Sequence, residues 1–183
     1  NVITGSVSCI KNTAGIIKKV YCPRIILPIS IGISGLINFF ISCIIVLAAC
    51  LMCGVGISWH IILVPVIAIV QCMFSMGLGM ILAACDAYVQ DLEYATGFIL
   101  QMAMYGTPIV YDISMFSNTQ NILGTLIRLN PLTTIVNAYR DVFLYHQLSN
   151  VEPFIIVSLL SFVVLLLGAW IFNMLEKGFA EQF

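Results

Sequence analysis

The sequence predicts an all-α integral membrane protein with four transmembrane helices and a pair of short re-entrant or interfacial helices before the last span. Three observations carry this. Charged residues make up 8% of the 183 residues, against about 25% in soluble domains. The hydrophobic fraction is 61% and the mean hydropathy is +1.10. Between Ile25 and Cys85 there is no Asp, Glu, Lys or Arg, and a charge at the centre of a spanning helix costs about 2.5–3.5 kcal/mol.

A crossing needs about 20 apolar residues, so the charge-free run holds two spans, 25–54 and 61–84. "GVGISWH" (54–60) is the turn between them, with two glycines and with Trp59 and His60 at the water interface. In the second span, Gly77 and Gly79 would let a neighbouring helix approach closely. "DAYVQDLE" (86–93) is a polar break, 94–111 a third span of marginal length, and 153–175 a fourth, closed by a polar tail, 176–183.

The segment 112–152 is too long for a hairpin and too apolar for a solvated loop. "NTQNILGTLIRL" and "NPLTTIVNAYRDVFLYH" each read as a short helix, neither long enough to span. In the second, Asn130 is placed to cap with Pro131 at the first helical position. Leu132, Ile135, Val136, Tyr139 and Phe143 then form an amphipathic stripe.

Lys and Arg beside the spans set orientation. Alternating spans put 1–24, 86–93 and 176–183 on one side, with Lys11, Lys18, Lys19, Arg24 and Lys177. Arg128 and Arg140 lie on the other. The first side is therefore cytoplasmic, and 1–24 is a basic anchor. The chain opens on Asn1 without a signal peptide and reads as a piece whose N-terminal part is missing. Seven cysteines, mostly within apolar runs, behave as small hydrophobes.

Several function classes are excluded. The net charge of −1 offers no basic surface for nucleic acid. No GxxxxGK[ST], HExxH or Gly-x-Ser-x-Gly occurs, so the chain holds no P-loop for ATP and no metal or cofactor site of those kinds. Asp86, Asp91 and Glu93 could in principle hold a metal for a membrane transferase, but a solvated cytoplasmic turn is the simpler reading, since Mg²⁺ sites usually need substrate phosphates as well. The spans lack the ionisable groups of a proton relay, so any transport draws its energy from a partner.

Four motifs fall in order along the chain: "NTAGIIKKVYCPRIILPIS", "MGLGMILAACDAYVQDLEYATGFILQMAMYGTPIVY", "LNPLTTIVNAYRDVFL" and the terminal "LEKGFAEQF". Together they resemble the permease subunit of bacterial ABC exporters for cell-surface polysaccharides such as O-antigen, capsular glycan or teichoic acid. The resemblance implies six spans in the full family member, four of them here. It also implies a homodimer in the inner membrane, a lipid-linked glycan as cargo, and an ATP-binding cassette subunit that carries ATP and Mg. It makes 1–24 the coupling region, with Lys11, Asn12, Lys18, Lys19, Tyr21 and Arg24 facing that subunit. It makes the two short helices of 112–152 a gate, and places Tyr105, Pro108, Tyr111, Asn130, Pro131, Tyr139 and Arg140 on the substrate path. Aromatic faces suit sugar rings, and Arg140 suits a phosphate. The family's Arg-Asp in the cytoplasmic turn is Gln90-Asp91 here, which removes any ion pair the Arg would make. A drug or lipid exporter of the same superfamily, a membrane glycosyl- or phospho-transferase, and a purely structural subunit are the rival readings.

Overall fold

A computed structural model describes residues 1–17, 24–52, 59–89, 91–107, 130–145 and 151–176. Every regular element among them is helical. In order they are α1 (Val2–Ile17), α2 (Ile26–Met52), a 3₁₀ turn (Trp59–Leu63) running into α3 (Val64–Asp86), and α4 (Leu92–Gly106). Then come α5 (Pro131–Arg140), continued by a π-helical turn (Asp141–Tyr145), and α6 (Val151–Glu176). Helices α2, α3 with its leading turn, and α6 are long and apolar enough to cross a membrane. Of the expected third span, the structure describes α4, 15 residues long, and Thr107. Residues 108–111 and the first of the two expected short helices lie outside the described residues.

Local chemistry explains the boundaries. Pro65 sits in the first turn of α3, where its missing N–H would be unpaired in any case. Thr107 leaves α4 in an extended conformation, φ −103° and ψ 135°, because Pro108 disfavours a helical residue before it. The Asn130 side chain accepts a 3.0 Å hydrogen bond from the Leu132 N–H, with Pro131 next. The cap read from the sequence is thus formed.

Helix α3 is the hub, packed against α1, α2 and α6. The two glycines expected to admit a neighbour admit two different ones. A Cβ on Gly77 would stand 2.7 Å from the backbone of Val164 and Leu165 on α6, and one on Gly168 would run into the Gly77 carbonyl. Gly79 faces α1, where an added Cβ would lie 2.9 Å from Ser6. In a bilayer, such close backbone approach is what holds helices together.

The stretch 1–24, expected as a cytoplasmic coupling region, begins inside this bundle. Ser6 and Val7 of α1 are fully buried. Val2 lies against Gly35 and Ile31 against Gly5, so α1 runs antiparallel to α2. Its hydroxyls are satisfied internally: Ser6 donates to the Val2 carbonyl at 2.8 Å and Ser8 to the Thr4 carbonyl at 3.1 Å.

The bundle has two distinct ends. At one, the Arg24 N–H donates to Glu176 Oε1 at 3.0 Å and the Tyr88 hydroxyl to the Leu175 carbonyl at 3.2 Å. The start of α2, the α3–α4 turn and the end of α6 therefore share a face, as alternating spans require. Cys9, Met80, Ala83, Ala84 and Phe172 pack beneath it. Toward the other end, Cys43, Val64, Ile67, Val70 and Val157 receive α5.

Candidate functional site

The short helix α5 builds the site. Ile135, Ala138 and Val142 are buried against α2, α3 and α6, while Tyr139 and Phe143 pack at the edge of that cluster. The wedge thus uses a face rotated from the expected stripe. Large residues dominate a hydropathy reading, yet small Ala138 permits the close approach. The Tyr139 ring lies 5.4 Å from Phe39, tilted by 47°. Phe39 is thirteen residues from either end of α2, so at about 1.5 Å per residue α5 reaches roughly the middle of a spanning helix. Such a dipping element is tolerated where protein covers it.

The Tyr139 hydroxyl is buried and makes no hydrogen bond to another described residue. Arg140 closes α5, where a cation suits the helix C-terminus, and is half-buried beside Asp141 and the π-helical turn. Short π segments inside helices often mark functional positions.

Asn130 does more than cap. Its Nδ2 donates to Thr107 Oγ1 at 3.4 Å, and Thr107 donates in turn to the Ala103 carbonyl at 2.9 Å. The end of α4 is thereby tied to the start of α5. Replacing Asn130 by Ala should remove both contacts and lower the melting temperature by about 2–4 °C, the effect of roughly 1 kcal/mol of lost capping. Differential scanning fluorimetry in detergent measures this.

Tyr105 is not brought to Tyr139. It lies 67% exposed on α4, in a stripe with Tyr94, Phe98 and Met102, which are exposed as well. Spacing of four, four and three residues made this stripe readable in the sequence, where Tyr105 alone was singled out. Asn12 is exposed on α1 and Arg24 opens α2. Lys18, Lys19, Tyr21, Pro108 and Tyr111, and the side chain of Lys11, lie outside the described residues.

A second polar feature also went unread. Ser30, Ser34, Asn38 and Ser42 recur every fourth residue along α2, all exposed. Asn38 and Ser42 face Gln71 and Ser75 of α3 across a cleft of about 450 Å³. Polar groups at that depth are retained where they meet a cavity or another polar group.

The carboxylates weighed as a metal site act otherwise. Asp86 is 1% exposed, and its Oδ1 accepts the Glu93 N–H at 3.0 Å. Among the described residues, no three of His, Cys, Asp and Glu are grouped to hold a metal.

Residues 17–144 match the family described as ABC-2 type transporter. Over 180 residues the chain is 28% identical to the O-antigen export system permease protein RfbA of Myxococcus xanthus, covering 98% of this chain and 69% of that protein. Over 170 residues it is 29% identical to a protein of the same name from Klebsiella pneumoniae, covering 92% of this chain and 64% of that one. It thus spans about two-thirds of the length of these relatives. Long apolar helices around a central α3, a wedge reaching mid-span and a family match over most of its length make this chain a member of the ABC-2 type transporter family.

Proposed function

We propose that the chain forms the transmembrane part of an ATP-driven exporter that moves lipid-linked polysaccharide across the cytoplasmic membrane. The observation that carries this is the likeness over 92% and 98% of the chain to proteins named for O-antigen export. The face shared by Arg24, Tyr88 and Glu176 is the cytoplasmic one, in keeping with the basic residues of 1–24. A separate ATP-binding subunit docks there and carries ATP and Mg, and the permease does no covalent chemistry. No Asp, Glu, Lys or Arg lies within α2, and in α3 and α6 such residues sit only at the ends. A proton relay has no footing in these helices, which fits an external energy source.

Two copies pair around the glycan path. The exposed Tyr94–Phe98–Met102–Tyr105 stripe offers aromatic faces for sugar rings or for the second copy. Helix α5 acts as a gate at the outer end, with Tyr139 and Arg140 placed to meet the sugar and phosphate parts of the cargo. Co-purification from the native gene in mild detergent tests the reading. An ATP-binding subunit should accompany the permease, and Lys18→Glu with Lys19→Glu should lower its ATPase activity or release it. Purification of the permease alone, under conditions that keep other membrane complexes whole, would count against the reading.

A further inference from the structure

The helices that begin at the cytoplasmic face do not cap themselves. Before α2 stand Arg24 and apolar Ile25, and no acidic residue lies in its first turn. Asp91, before α4, makes no side-chain capping bond. Both helices instead take a carboxylate from a helix that ends there. Glu176, the last residue of α6, accepts the Arg24 N–H at 3.0 Å across 152 positions of sequence. Asp86, the last residue of α3, accepts the N–H of Glu93, the second residue of α4. An acidic side chain opposes the dipole at its own helix C-terminus and favours that of a neighbour's N-terminus. These two residues are misplaced for their own helices and well placed for the adjacent ones. The Tyr88 hydroxyl, donating to the Leu175 carbonyl, ties the α3–α4 turn to the same last turn of α6.

We propose that Glu176, with Asp86 and Tyr88, is a positioning relay that joins α2, α3, α4 and α6 at the cytoplasmic face, so that displacement of the start of α2 at Arg24 moves α6 and the α3–α4 turn together. This rests on the exporter reading above. Glu176 touches neither cargo nor nucleotide. It acts by making the connection between the start of α2 and α6 stiff.

The test uses the whole exporter, with its ATP-binding subunit, in membrane vesicles. It measures glycan exported per ATP hydrolysed, beside the melting temperature of the complex. Glu176→Ala should leave assembly and ATP hydrolysis in place while export per ATP falls roughly 3- to 30-fold, the range of coupling energies carried by such contacts. Glu176→Gln, which keeps an acceptor oxygen, should recover most of the loss. Tyr88→Phe removes one hydroxyl without threatening the fold, and should lower export per ATP in the same sense. An unchanged ratio in both Glu176→Ala and Tyr88→Phe would overturn the relay. So would export and hydrolysis falling in parallel with folded protein, which is the signature of a structural cap. If the unaltered complex exports nothing in response to ATP, the exporter reading itself fails, and the relay falls with it.

Discussion

Gly77→Leu is expected to be the most damaging single substitution in the bundle. At this crossing α3 and α6 touch backbone to backbone, and the new Cβ would stand 2.7 Å from the main chain of Val164 and Leu165. Main-chain atoms cannot rotate aside, so the helices must part. Gly168 lies in the same contact and cannot compensate. Overpacking costs about 1–3 kcal/mol even where side chains can adjust. The melting temperature in detergent should therefore fall by about 10 °C, with loss of monodisperse protein. Gly97→Leu is the control. Among the described residues, nothing outside its own stretch of helix lies within 4 Å of a Cβ there, so its melting temperature should move by no more than about 2 °C. Equal effects of the two substitutions would show that the α3–α6 contact does not organise the bundle.

Ile135→Asp should detach the α5 wedge. Ile135 is 2% exposed and packed with Val64, Ile67 and Val142. None of these offers a charge or a donor to a carboxylate. An unpaired buried charge costs about 3–5 kcal/mol, far more than the roughly 1 kcal/mol that the Asn130 cap contributes. Helix α5 should leave its seat while α2, α3 and α6 stay packed through their own contacts. A cysteine introduced at Ala138 reports on this. Its maleimide labelling should be slow in the unaltered background and faster by about 100-fold or more beside Ile135→Asp. Slow labelling in both backgrounds would mean that α5 is not held by this apolar seat.

Much of the architecture was legible because bilayers impose simple rules. The charge-free run between Ile25 and Cys85 marked two crossings, and α2 and α3 occupy it. The Asn130–Pro131 pair marked a helix start, and the cap bond is there. Gly77 and Gly79 marked close packing, and each meets a neighbour. Alternating spans put the start of the first span, the 86–93 break and the tail after the last span on one side, and Arg24, Tyr88 and Glu176 meet there.

What stayed hidden depends on contacts between distant residues. Helix α1 carries Thr4, Ser6 and Ser8, which reads as a polar segment. Hydroxyl bonds to its own carbonyls conceal that polarity and allow Ser6 to be buried. Asp86 and Glu176 looked like loop and tail charges, because a cap supplied from another helix leaves no local pattern. The α5 seat was read a little out of phase because Ala138 weighs little in hydropathy and much in packing. Tyr105 and Tyr139 were grouped by residue type, whereas the structure puts one on an outer face and the other beside Phe39.

The most direct test of the exporter reading is movement of glycan itself. Inside-out membrane vesicles containing the permease and its ATP-binding subunit would be loaded with radiolabelled lipid-linked polysaccharide on their outer, cytoplasmic face. On addition of ATP and Mg, label should pass to a compartment protected from an added glycosidase, and it should not do so without the permease or without ATP. Protection that appears equally without the permease, or none at all while the partner hydrolyses ATP, would contradict the account.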